Sequence, residues 1–97
     1  MLVITFNVNG IRARIHQLDA LIQKYSPDVI CLQEIKVSDE DFPYTTIEEL
    51  GYKVFNYGQK GFHGVAILCK VEPLNVVKGL DGGIDEEQKR FIQCDFN

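Results

Sequence analysis

An α/β fold is predicted for this chain by two short apolar runs that each end in polar residues, and by the helical pattern that separates them. The first run is Leu2-Val3-Ile4-Thr5-Phe6, leading into Asn7-Val8-Asn9-Gly10. The second is Asp28-Val29-Ile30-Cys31-Leu32, leading into Gln33-Glu34-Ile35-Lys36. Between them Ile15, Leu18, Leu21 and Ile22 recur at helical spacing, with Arg14, Gln17 and Lys24 on the other face, and Ser26-Pro27 stops the helix. Strand, helix and strand of these lengths make one βαβ unit, and the right-handed crossover leaves its strands parallel. Asn7 and Glu34 then emerge at the same sheet edge, outside the carboxyl ends of the strands, where open α/β sheets bind their ligands.

The remaining elements follow in order. Val37 to Phe42 is polar and acidic and reads as a loop. Thr45 and Glu48 have the spacing of a capping box, opening a short helix through Ile47 and Leu50 that Gly51 closes. Tyr52 to Tyr57 is a strand, Gly58 to Gly64 a glycine-rich turn, and Val65 to Cys69 a buried strand, so the pair predicts an antiparallel hairpin with a long loop. Leu74 to Lys78 is a further strand after Pro73, Gly79 to Glu87 a flexible acidic loop, and Arg90 to Phe96 alternates as a strand should. No repeat, low-complexity tract or linker interrupts residues 1–97, which read as one segment of a single domain. About six strands and two helices do not cover both faces of a mixed sheet. The chain is therefore expected to pair with another copy or to be the first part of a longer protein.

Bulk composition narrows the class. At 97 residues, 45% hydrophobic and 25% charged, the chain has the balance of a globular domain able to bury a modest core. No apolar run approaches the roughly 20 residues of a membrane helix, and no charged leader precedes an apolar stretch, so no membrane partner is expected and the cytoplasm is the expected compartment. Cys31, Cys69 and Cys94 are odd in number and form no CxxC pair, which predicts buried reduced thiols rather than a disulfide framework or a zinc site. The net charge of −4 argues weakly against nucleic acid. It does not decide the matter, because a metal-dependent phosphodiesterase uses carboxylates to hold the cation that meets the phosphate.

Taken singly, the candidate residues are ambiguous. Glu34 can be a solvated strand end, and Asn7 and Asn9 can be turn formers before Gly10. Together, the Glu34 carboxylate and the Asn7 carboxamide oxygen make a partial ligand set for Mg²⁺, which takes one or two carboxylates and completes its shell with water and substrate phosphate. His16 belongs on the solvated face of the first helix. His63, in the glycine loop, is either an ordinary loop residue or a ligand contact. Gly58, Gly61 and Gly64 fit no dinucleotide fingerprint; they serve a turn needing positive φ or a close backbone approach to a strand of nucleic acid. No nucleophilic serine motif or P-loop lysine pattern occurs. Arg12, Arg14, Lys36, Lys60 and Arg90 fall in loops or at strand ends, where they are scattered surface charge or a phosphate-binding rim.

Three stretches carry a family resemblance. Thr5-Phe6-Asn7-Val8-Asn9-Gly10-Ile11-Arg12-Ala13-Arg14 and Pro27-Asp28-Val29-Ile30-Cys31-Leu32-Gln33-Glu34-Ile35-Lys36 resemble the signatures of the exonuclease III family of AP endonucleases. Gly58-Gln59-Lys60-Gly61, followed by Gly64-Val65-Ala66, resembles its bacterial branch. The resemblance runs from Met1 to Phe96. It implies the N-terminal part of a four-layer α/β sandwich, two mixed β-sheets flanked by helices. It also implies a Mg²⁺- or Mn²⁺-dependent phosphodiesterase of DNA repair, cleaving 5′ to abasic sites in duplex DNA and working as a 3′–5′ exonuclease at 3′ ends. Carried over by position, Glu34 is the metal ligand, and Asn7 ligates the metal or hydrogen-bonds the scissile phosphate. Asn9 stands where some relatives place an aspartate near the metal, and Lys36 orients the carboxylates. Asn9, Arg12, Lys36, Gln59, Lys60, Gly61, His63 and Arg90 are candidate DNA contacts.

The chain departs from the family's pattern in one respect. The tyrosine, Asp-x-Asn pair, further aspartate and terminal Ser-Asp-His of the family's second half are missing; Asp95-Phe96-Asn97 matches only by spacing. The expectation is therefore the first part, well under half, of a monomeric enzyme. Alone it should not turn over, and its exposed inner sheet face should favour self-association. Two other readings compete. One is a phosphoesterase of the same superfamily acting on inositol phosphates or sphingolipids; the other is a non-catalytic module that binds DNA or a partner.

Overall fold

Alternation along the strands decides which side of the sheet each residue faces, and here it creates two apolar faces. The structure, a computed structural model, describes residues 1–80 and 88–97. Four strands, β1 (Val3–Asn7), β2 (Val29–Gln33), β3 (Lys53–Tyr57) and β4 (Val65–Cys69), form a mixed sheet in the order β1-β2-β4-β3. β1 and β2 are parallel, with Asn7 opposite Gln33. β4 is antiparallel to both β2 and β3. The predicted hairpin thus exists, and its second strand inserts into the middle of the sheet.

On one face Ile30, Leu32, Ala66 and Leu68 meet Leu18 and Ile22 of α1 (Ile15–Tyr25) and Ile47 of α2 (Tyr44–Glu49). On the other, Val29, Ile67 and Cys69 meet Ile92, Cys94 and Phe96. These last residues come from or follow β6 (Ile92–Asp95), which pairs antiparallel with β5 (Asn75–Lys78) as a second, two-stranded sheet. Every residue of β4 is buried, because this strand lies inside the sheet and is covered on both faces. The bare inner face expected from the sequence is therefore covered in part: Ile67 and Cys69 lie under the second sheet, while Val3 on edge strand β1 remains 53% exposed.

The ends of α1 and α2 show which local signals operate. Ser26 ends α1 in a left-handed conformation (φ +44°), its N–H donating to the Ile22 carbonyl at 2.8 Å. The following Pro27 is buried, and its carbonyl accepts the Tyr52 hydroxyl at 2.6 Å. Gly51 closes α2 at φ +97°, as its position predicts. The capping box does not form. α2 begins one residue before Thr45, after Pro43, and no side chain caps it. The fixed φ of proline and the burial of Ile47 set that start instead. A 3₁₀ turn (Asp39–Asp41) occupies the predicted 37–42 loop. Asp39 Oδ1 accepts from Asn56 Nδ2 at 2.8 Å and from the Gly58 N–H at 2.7 Å, pinning that turn to the end of β3. Of the predicted acidic loop 79–87, residues 81–87 lie outside the described residues.

Candidate active site

The parallel pairing of β1 and β2 continues past the last strand residues, and that continuation builds the site. Val8 N–H donates to the Gln33 carbonyl at 3.0 Å, Gly10 N–H to that of Glu34 at 2.8 Å, and Ile11 N–H to that of Ile35 at 3.0 Å. On the opposite side Ile35 and Lys36 donate to the carbonyls of Gly64 (3.1 Å) and His63 (3.0 Å), and Gly61 donates back to Lys36 at 3.1 Å. Buried Val8, Ile11 and Ile35 anchor these segments from below. Three loops distant in sequence are thus laced into one rim.

Their backbone geometry is unusual. Asn9, Glu34, Lys36 and His63 all have positive φ, between +44° and +58°; the fifth such non-glycine residue among those described is the Ser26 helix cap. Each costs on the order of 1–3 kcal/mol and persists only where surrounding contacts fix it. Left-handed turns at Glu34 and Lys36, on either side of buried Ile35, leave both charged side chains half-exposed at the rim.

The side chains then connect. Asn7 Nδ2 donates to Glu34 Oε2, while Asn7 Oδ1 accepts the Asn9 N–H at 3.1 Å. Asn9 Oδ1 accepts from Lys36 Nζ at 2.5 Å, and that ammonium stands 3.7 Å from Glu34 Oε1. The hydrogen bond from Asn7, helped by the Lys36 charge, holds the Glu34 carboxyl below its ordinary range, so it is ionised near neutrality.

A cleft of about 360 Å³ opens beside this cluster. Asn7, Gln33 and Glu34 line one side, and His63, Gly64, Val65, Lys89 and Arg90 the other. Arg90 Nε donates to His63 Nδ1 at 3.4 Å. The Lys89 backbone ties the glycine loop in place, accepting from Gly64 N–H at 2.8 Å and donating to Gln59 Oε1 at 2.9 Å, while its ammonium lies over the Tyr57 ring.

Of the candidates named from sequence, Asn7, Asn9, Glu34 and Lys36 meet in one network, and His63 and Arg90 face them across the cleft. Gln59 acts through its hold on Lys89, and Gly61 through its bond to Lys36. Lys60 and Arg12 are exposed, on the glycine loop and on the 3₁₀ turn Arg12–Arg14 respectively, and neither lines the cleft. Gln33 and Lys89 are cleft residues that sequence reasoning passed over. The register Asn7↔Gln33 would have revealed Gln33; Lys89 is placed only by the docking of the last strand on the sheet.

A sequence profile of the endonuclease/exonuclease/phosphatase family matches residues 4–97. Exodeoxyribonuclease III of Haemophilus influenzae is 57% identical over 96 residues, covering 99% of this chain and 36% of that protein. An exodeoxyribonuclease of Bacillus subtilis is 35% identical over 100 residues, 38% of its length. The chain thus spans little more than a third of these relatives. Among solved structures, an AP endonuclease from Archaeoglobus fulgidus superimposes with a TM-score of 0.89 at 41% identity, covering 97% of this chain and 37% of that one. The 3′ phosphatase NExo from Neisseria, in a variant bound to a product DNA hairpin, gives 0.88 at 35% identity, covering 94% and 36%. With the profile spanning nearly every residue and the same fold in these enzymes, the chain belongs to the endonuclease/exonuclease/phosphatase family.

Proposed function

We propose that this chain supplies the metal-holding and phosphate-positioning part of a DNA-repair phosphodiesterase of the exodeoxyribonuclease III type. Such an enzyme would cleave 5′ to abasic sites in duplex DNA and degrade it from 3′ ends. The observation that carries this reading is the pairing of parallel strand ends that sets ionised Glu34 against Asn7 in a cleft whose far wall is basic.

The residues present fit a divalent cation. Glu34 is half-exposed and anionic, and hard carboxylate and carboxamide oxygens suit Mg²⁺ or Mn²⁺. Among the described residues no group of three or more His, Cys, Asp or Glu side chains is placed to hold a metal ion, so most of the shell would be water and substrate oxygens. Glu34 would hold the ion, with Asn7 as a second oxygen donor if its carboxamide turns end for end, or as a donor to the scissile phosphate if it does not. The ion supplies charge neutralisation and Lewis acidity at the phosphate. Lys36 keeps Glu34 ionised and oriented and, through Asn9, fixes the loop after β1. Lys89, Arg90, Lys60 and Arg12 supply positive charge for a DNA backbone, which positions a duplex without reading its sequence. Glu34 is the one carboxylate lining the cleft among the described residues, so the chain by itself is expected to bind rather than turn over. Cytoplasmic placement accords with this role, and among the described residues no helix is long and apolar enough to cross a membrane.

The test is a hybrid in which this chain replaces the matching 96 residues of the Haemophilus influenzae exodeoxyribonuclease III. Metal-dependent nicking of a duplex with one abasic site is expected, and Glu34→Ala should reduce it by about 10²- to 10³-fold, the scale on which charge stabilisation operates. Duplex affinity should change little. Full turnover by the variant at saturating Mg²⁺ would remove Glu34 from the metal site. Preference for a soluble phosphate monoester would move the assignment to another branch of the family.

A further inference from the structure

We infer that His63 is a neutral hydrogen-bond donor to a phosphodiester of the bound nucleic-acid backbone, its tautomer fixed by Arg90. This rests on the functional reading above and adds to it a positioning residue with a defined protonation state. Three observations carry it.

First, Arg90 Nε–H is a donor that cannot accept, so its 3.4 Å contact with His63 Nδ1 requires a lone pair on that nitrogen. A neutral ring with Nδ1 unprotonated carries its proton on Nε2. Second, the backbone that carries the imidazole is held in place. His63 sits in a left-handed turn at φ +48°, its own carbonyl accepts the Lys36 N–H at 3.0 Å, and Gly64 beside it leaves no room for a side chain, since a Cβ there would stand 2.7 Å from Ile35 Cγ1. Third, His63 and Arg90 line the cleft opposite Glu34. A ligand held there meets an anionic wall and a donor wall, the arrangement that suits a phosphodiester oriented with one face toward a cation. The Nε2–H of His63 and the guanidinium N–H groups not used on Nδ1 form a two-residue donor pair of different character, one neutral and one charged.

That difference makes the inference testable in the 97-residue chain. Nitrogen-15 NMR of the free chain at pH 8 should show His63 Nδ1 unprotonated and Nε2 protonated, as the Arg90 contact requires. With a short DNA duplex as the probe at low salt, His63→Phe keeps a ring without a donor and should weaken binding about five- to tenfold, the worth of one hydrogen bond. His63→Gln carries an amide donor near the Nε2 position and should recover most of that loss. Because a neutral donor displaces no counterion, His63→Phe should leave the slope of log K against log salt unchanged, whereas Arg90→Gln should shallow it by about one phosphate's share. An Nδ1–H tautomer, unaltered affinity in His63→Phe, or a slope change in His63→Phe matching that of Arg90→Gln would each overturn the inference while leaving the functional reading intact. Absence of duplex binding by the unsubstituted chain would overturn the inference; absence of cleavage by the hybrid would overturn the functional reading separately.

Discussion

Glu34 is governed by a neighbour rather than by burial. The first cause of its lowered pKa is the Asn7 hydrogen bond, with the Lys36 charge behind it. Asn7→Ala should therefore raise the Glu34 pKa toward the ordinary 4.5, a change read by carbon-13 NMR of the carboxyl across an acid titration. The sign also fixes a stability effect. A carboxyl with a depressed folded-state pKa contributes stability above its unfolded value, and that contribution is lost as pH falls through the folded value. Acid unfolding between about pH 5 and 3 should then be less steep in Asn7→Ala. An unmoved Glu34 titration would mean that Lys36 and His63, rather than Asn7, set the carboxylate. These two residues were legible in the sequence because each follows an apolar strand and the crossover rule makes those strands parallel. The left-handed turns at Asn9, Glu34 and Lys36 were not. Their residue types tolerate ordinary conformations equally well, and only the laced loops impose this one.

At the level of elements, the glycine loop is the part whose sequence and geometry agree most closely. Gly64 has φ +81°, and a Cβ there would meet Ile35 Cγ1 at 2.7 Å and the Gln59 nitrogen at 3.2 Å. Gly64→Ala combines left-handed strain with a clash against a buried side chain, and should cost about 2–4 kcal/mol. Chemical denaturation of the variant measures this, and nitrogen-15 spectra should show Ile35 and Lys36 shifting with it, since both amides bond to the loop. Loss below about 0.5 kcal/mol would mean that the loop yields without strain. The strands were readable from alternation and apolar runs to within a residue or two at their ends. The Thr45–Glu48 signal failed for a physical reason: a cap of about 1 kcal/mol yields to a proline start and a buried isoleucine. The insertion of β4 between β2 and β3 was not readable either, since hairpin logic pairs neighbours without saying which of them becomes central.

Across the whole molecule, the three cysteines scattered in sequence converge between the two sheets. Cys69 is buried, and Cys31 and Cys94 pack against its cluster. Burial first, and then mutual repulsion of the thiolates with Asp95, pushes Cys94 from 9.0 up to about 11. Cys31 and Cys69 are raised by burial as well. A thiol raised in the folded state contributes stability that is complete below its unfolded pKa and lost as pH rises toward the folded one. Denaturation midpoints should hold steady to about pH 8.5, near the ordinary thiol value, and fall from there toward pH 11, with a shallower fall in Cys94→Ala. A flat profile over that window would show that the thiols are more hydrated than their packing implies. Spacing predicts buried, reduced thiols at all three positions; only Cys69 is fully buried, while Cys31 and Cys94 are half-buried because the two-stranded sheet covers this face in part, and their meeting depends on β6 crossing the sheet. The exposed Val3 edge remains the surface available to further chain or to a second copy.

The lacing of the rim also bears on how the cleft forms. Its amides at Gly10, Ile11, Ile35, Lys36 and Gly61 are bonded between segments that lie 24 or more residues apart in the chain. No local motif can assemble them, and none can be released without separating β1, β2 and β4. Hydrogen exchange at these five amides should therefore track global unfolding, with protection close to that of Leu68 at the sheet centre. The entropy of arranging Glu34, Lys36 and His63 is settled during folding, so a ligand arriving in the cleft meets a preformed surface and bears little of that ordering cost itself.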